Sequence, residues 1–199
     1  MDRSILDWLL EEETPEVRLR TLKEYMRLPD DDEKVIECRR MLLQSKTYER
    51  ALKKIRKDKP WDKFDAIMAF AEWGLTRKDV GKDIDDEVFG LIQSTGFKML
   101  CGEPYLLRNL VKLGYDQEDI VKNEIACVLS GIKEDGGFGC ISTNKKTNDP
   151  RKPHKSCARL TVEYLLLVAE LHLLGYRTDC EPELVRYLRR ETSSTGRTI

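Results

Sequence analysis

The sequence predicts an all-helical fold assembled from repeated helix pairs, and three observations carry that expectation. Apolar residues recur every three or four positions through nearly the whole chain, whereas two-residue alternation bounded by hairpin turns is hard to find. Charged residues make up 36% of the chain beside 40% hydrophobic; that exceeds the roughly 25% charged share of an average protein and suits helices with one buried stripe and charged outer faces. Three apolar segments each stop at a glycine and are followed by a segment that opens with acidic residues. The length of 199 residues suits one domain, expected over residues 1–190, with 191–199 a polar, frayed tail.

Taken in order, Ser4 is placed to cap an amphipathic run containing Ile5, Trp8 and Leu9. Thr14-Pro15-Glu16 opens a second helix, threonine at the cap and proline at the first helical position, with Val17, Leu19, Leu22 and Met26 as its buried stripe. Pro29 to Asp32 ends it and starts a third through Val35, Ile36, Met41 and Leu42, its acids placed where the positive end of the helix dipole favours them. The repeat then begins. Trp61 to Leu75, Cys101 to Tyr115 and Cys157 to Tyr176 are apolar inner helices ending at Gly74, Gly114 and Gly175. Each leads to an outer helix expected to be capped at Asp85-Asp86, Gln117-Glu118 or Glu181-Pro182. Gly74 and Gly114 are 40 residues apart, a two-helix repeat period, and Gly114 and Gly175 are 61 apart because residues 134–156 are inserted. Gly136, Gly137 and Gly139 let that insertion turn tightly, and Pro150 and Pro153 hold off the next helix until Ser156 caps it. A long loop in a small helical domain is commonly functional.

An apolar helix ending in Leu-Gly-Tyr, an outer helix with an acidic cap, Asp135-Gly136-Gly137-Phe138 and an apolar helix entered through a cysteine together resemble the repeat of the prenyltransferase and squalene cyclase superfamily. More narrowly, the chain resembles uncharacterised bacterial and archaeal proteins carrying that repeat, from about Trp61 to Arg190 and in the Thr14 to Leu22 segment. The resemblance implies an α/α toroid of paired inner and outer helices. With about ten short helices where full toroids use about a dozen, it implies an incomplete or open ring. The open end then calls for a homodimer or a protein partner to cover it.

The candidate metal site is a zinc centre of Cys140, Cys157 and either His154 or Cys101, which the repeat brings to one end of the helix array. Thiolate and imidazole are zinc's preferred ligands, and helix N-termini favour the ionised thiol. By resemblance, Cys157 falls at the cysteine of the protein prenyltransferase zinc site, with Lys155 in place of its aspartate. A basic cluster of Lys145, Lys146, Arg151, Lys152, Lys155 and Arg159 is the candidate anion or diphosphate site. Phe64, Met68, Trp73, Tyr105 and Tyr164 are candidate walls of a hydrophobic cavity. Asp83-Ile-Asp85-Asp86 matches the DxDD pattern of terpene cyclases, but its position in the repeat assigns it to helix capping. His172 is read as a hydrogen-bonded packing residue, and Cys38, Cys127 and Cys180 as packing thiols.

The expected function is thus an isoprenoid- or hydrophobic-ligand-binding protein of this superfamily, catalytic or not. The alternative is a non-catalytic interaction scaffold with a structural zinc or no metal. The net charge of −1 argues against a nucleic-acid or anionic-membrane binder. Without an export signal, an apolar run long enough to cross a bilayer or a dense cysteine framework, a cytoplasmic protein with reduced thiols is expected.

Overall fold

The computed structural model describes residues 3–95, 103–130, 132–138 and 156–195. Among them are ten α-helices, one running into a π-helical turn, and no strand, so the all-helical expectation holds. The chain divides into two compact units, Met1–Gly96 with Lys112–Gly114, and Phe97–Val111 with Tyr115–Ile199.

The first unit holds α1 (Arg3–Leu9), α2 (Pro15–Arg20) continuing as a π-helix (Thr21–Tyr25), α3 (Glu33–Leu43), α4 (Lys46–Ile55), α5 (Pro60–Glu72) and α6 (Arg77–Thr95). Thr14 precedes Pro15 at the predicted start of α2, and Asp32 caps α3 by accepting the Lys34 N–H at 2.9 Å. Ser4 lies inside α1 rather than at its cap. From α2 onward each helix packs on the next, around a core that includes Leu19, Val35, Leu42, Ile55, Ile67 and Phe70. Met26, expected in the buried stripe of the second helix, is instead 37% exposed, and Ile36 on the apolar run of α3 is 51% exposed. The π-turn shifts the register before Met26, and Val35, Cys38 and Leu42 already fill the inward face of α3.

The start of α6 corrects the predicted cap at Asp85-Asp86. The helix begins eight residues earlier because Asp79 Oδ2 accepts both the backbone N–H and the hydroxyl of Thr76, at 2.8 and 2.9 Å, a capping box that outranks the later acids. Asp83 and Asp85 therefore sit mid-helix and serve side-chain contacts. Asp83 accepts from the Tyr48 hydroxyl at 3.1 Å, and Arg77 Nη2 reaches Asp85 at 2.8 Å.

The second unit holds α7 (Glu103–Leu113), α8 (Asp119–Leu129), α9 (Ala158–Leu173) and α10 (Glu181–Thr195). Here α9 packs on α10, and Leu106, Leu110, Tyr115, Leu160, Leu167 and Leu184 are among the buried residues. The last helix continues through 191–195, part of the segment predicted to fray. The glycine stops fold alike. Gly74, Gly114 and Gly175 have φ of 75, 87 and 84°, and the N–H of the next residue donates to the carbonyl five positions back: Leu75 to Phe70, Tyr115 to Leu110, Tyr176 to Leu171. This left-handed closure is what a glycine after the last helical turn permits, so α5, α7 and α9 end in the same backbone geometry.

Candidate functional site

The Asp135-Gly-Gly-Phe138 turn builds a clasp at the base of α9. Gly136, at φ 85°, donates its N–H to the Lys133 carbonyl at 2.8 Å, and the Lys133 N–H returns to the Gly137 carbonyl at 3.0 Å. Gly137 lies so close to Ser156 that an added Cβ would stand 2.5 Å from the serine's own Cβ, so only glycine allows the two strands of chain to meet. Asp135 then ties them. Its Oδ1 accepts from the Ser156 hydroxyl at 2.6 Å and from the Gly137 N–H at 3.2 Å, while Oδ2 accepts from the Ser156 N–H at 3.2 Å. Burial pushes the Asp135 carboxyl up, but the bonds from Ser156 and Gly137 outweigh it and hold the group below its ordinary value.

Around this centre the Cys157 N–H donates to the Phe138 carbonyl at 2.7 Å and the Phe138 N–H to the Thr161 hydroxyl at 3.0 Å. Tyr187 and Arg190 of α10 reach the Ser156 and Asp135 carbonyls at 2.9 and 2.5 Å. The Phe138 ring lies 3.9 Å from that of Tyr164. Both ends of segment 139–155 are thereby fastened at one place. Ser156 was expected to cap the next helix; its hydroxyl is given to Asp135 instead, and α9 starts at Ala158 with Cys157 in the N-cap position.

Of the predicted site residues, Cys157 is a half-buried free thiol at this clasp and Arg159 is exposed in the first turn of α9. Cys101, Cys140, His154, Lys145, Lys146, Arg151, Lys152 and Lys155 lie outside the described residues. Among the described residues no group of three or more metal-ligating side chains is gathered. The five predicted cavity residues fall in both units. Phe64 is buried against Trp61, with Met68 and Trp73 half-buried, in the first; Tyr164 is buried and Tyr105 half-buried in the second.

One polar pair escaped the sequence. Glu163 is only 8% exposed, its Oε2 is buried without a hydrogen-bond partner, and the Tyr105 hydroxyl bonds to the carboxylate. The bond to Glu163, followed by burial, raises the Tyr105 phenol above its ordinary value, against the pull of Arg159 and Arg108. Arg108 in turn faces Glu170 at 3.6 Å, a second polar link between α7 and α9. The signal was a glutamate placed on the Leu160, Tyr164 and Leu167 face of an otherwise apolar stripe.

No known protein family, curated protein or solved structure matches this chain.

The remaining sequence candidates divide. His172 is hydrogen-bonded as expected, with Nε2 2.9 Å from the Thr178 hydroxyl and Nδ1 3.3 Å from Glu181. Cys38 is a packing thiol: it donates to the Pro15 carbonyl, and burial pushes it up to about 11. Cys127 is exposed on α8 rather than a buried packing thiol, and Cys180 is half-buried. No described helix is long and apolar enough to cross a membrane.

Proposed function

We propose that this is a helical-repeat protein of the prenyltransferase and terpene cyclase type, an open toroid that binds an isoprenoid or similar hydrophobic ligand beside a zinc site at the start of α9. The clasp is the observation that carries this reading. Phe138 and Cys157 are hydrogen-bonded to one another, Cys140 lies two residues from Phe138, and His154 two residues from Ser156. At about 3.8 Å per residue, the chain alone limits each of those Cα atoms to about 8 Å from its anchor. Cys140 and Cys157, with either His154 or Cys101, are the residues that would hold the metal.

A zinc ion held there by three protein ligands would supply a position at which a substrate thiol could be bound and deprotonated near neutral pH. Arg159 and the lysines and arginines of 145–155 would neutralise a diphosphate, and the aromatic and aliphatic residues of α7 and α9 within the second unit would receive the hydrocarbon chain. Glu163, with one oxygen on Tyr105 and the other unpaired, is the acceptor for a ligand hydroxyl or a transferred proton. The four described cysteines are free thiols, which suits the reducing cytoplasm.

A second reading, a non-catalytic scaffold, draws on the outer flank of α9, where Leu166 and Leu173 are 40% and 83% exposed. Two measurements separate the readings. Protein purified without chelator should carry about one zinc per chain, lost in Cys140→Ser and Cys157→Ser. Farnesyl diphosphate should then give a saturable rise in Tm. Absence of metal, with both serine variants as stable as the parent, rejects the zinc site; a flat Tm rejects the isoprenoid reading and leaves the scaffold.

A further inference from the structure

The first unit carries a groove that shares only Trp73 with the cavity residues named above. Leu9, Val17, Tyr25 and Trp73 form the apolar walls of a depression of about 440 Å³, and Glu16, Glu24 and Glu72 stand along it with Arg20. Arg20 is already committed, to Glu24 at 2.9 Å and to Glu72 at 3.1 Å, and Glu72 also takes Lys112 at 3.0 Å. Glu16 remains, with its Oε2 buried and without a hydrogen-bond partner.

The surroundings enlarge both characters of the groove. Ile5 and Trp8, on the same short helix as the lining residue Leu9, are 48 and 61% exposed, and the lining residue Tyr25 is 55% exposed. Glu11, Glu12 and Glu13 are all exposed on the connection from α1 to α2. Through Glu33 the chain carries eleven acidic residues against five basic ones. The backbone is distorted at the same place: α2 widens into the π-helix that carries Tyr25, and Arg27, two residues on, is a non-glycine residue at φ 54°. Such turns cost energy and recur where a surface is used.

An apolar trough rimmed by carboxylates discriminates among occupants. Anionic membrane surfaces and acidic proteins are repelled, and a purely apolar ligand leaves the carboxylates unpaired. We propose that this groove docks a basic amphipathic helix of a protein partner. Its apolar residues would lie on Leu9, Val17 and Trp73, and its lysine or arginine side chains would reach Glu16 and, on the connection that leads into α2, Glu11 and Glu13, since Glu12 is already paired with Arg18 at 3.2 Å. Exposed apolar area extending beyond the trough favours a helix over a small amine, because only a longer occupant covers Trp8 and Leu9 together.

The test uses the full chain and three synthetic peptides of about 18 residues: a leucine and lysine amphipathic helix, its leucine and glutamate twin, and a scrambled leucine and lysine sequence. Binding is read by tryptophan fluorescence and calorimetry. The lysine helix should bind saturably, about ten-fold tighter than either control, and weaken as salt rises from about 50 to about 300 mM. Trp8→Ala and the double variant Glu13→Gln/Glu16→Gln should each weaken it about five-fold or more, whereas Trp61→Ala, at an exposed tryptophan away from the groove, leaves it unchanged. Glu13→Lys, at an exposed position, keeps the charge test available if the double variant fails to fold. Equal binding of the glutamate twin, or indifference to Trp8→Ala and to both charge variants, overturns the proposal. So does self-association of the free chain that Trp8→Ala abolishes, which would make a second copy the occupant.

Discussion

At the scale of single residues, Asp135 and Gly137 do most to shape the site. Gly137→Ala forces a Cβ to within 2.5 Å of Ser156 Cβ, an overpacking that should cost about 1–3 kcal/mol and appear as a lower Tm with faster proteolysis within 139–155. Asp135 makes a pH-dependent contribution whose sign follows from its lowered folded value. The carboxylate's stabilisation is fully present above its ordinary value of 3.8 and is lost as pH falls through the lowered folded value. Asp135→Asn should therefore be less stable than the parent by about 1 kcal/mol at neutral pH, and the gap should close below about pH 4. The cysteines give a kinetic contrast. Exposed Cys127 should be alkylated rapidly at pH 8, while Cys38, buried and pushed up to about 11, should stay unmodified until the chain unfolds; peptide mass mapping over time reads both.

At the scale of elements, the glycine stops allow a matched comparison. Gly114 sits at φ 87° with open space around its missing Cβ, so Gly114→Ala meets only the conformational penalty of the left-handed region, about 1–2 kcal/mol. Gly90 is equally uncrowded but lies exposed inside α6, where Gly90→Ala should stabilise by about 0.5–1 kcal/mol. Opposite signs from the same substitution in denaturant titrations would confirm that one glycine is a stop and the other an interruption. Features decided within a few residues of chain were legible in the sequence: the three stops, the Thr14-Pro15 entry and the starts of α8 and α10. The start of α6 was misread because two capping signals competed, and only geometry shows that Thr76 and Asp79 win. Ser156 was misread for a related reason: a hydroxyl that is a good local cap became the partner of a carboxylate 21 residues earlier. Glu163 with Tyr105 joins helices separated by a whole repeat, and no local periodicity encodes that pairing.

At the scale of the whole molecule, the net charge of −1 conceals a strong segregation. Eleven acidic and five basic residues precede Lys34, and from Lys34 to Lys63 eleven basic residues face four acidic ones, with Lys46, Arg50, Lys53 and Lys57 exposed along and just beyond α4. Charge so arranged steers partners to particular faces without fixing the fold. The apolar flank of α9 is the complementary case, a face where burial rather than charge would do the work. Leu166 and Leu173 lie seven residues apart, two helical turns, and both are exposed on the same side of the helix. Repeat arrays need their terminal faces covered, because each repeat buries only the neighbour it touches. On this ground the full chain should self-associate through α9, with a mass above the 23.2 kDa monomer in light scattering. Leu173 is 83% exposed, so Leu173→Glu removes no core packing and should keep the parent Tm in dilute solution while returning the mass to that of one chain. A parent that is already monomeric at high concentration would show that the flank is tolerated bare or reserved for a different protein. An oligomer that persists in Leu173→Glu would place the interface elsewhere, and Trp8→Ala then tests whether the α1 to α2 groove supplies it.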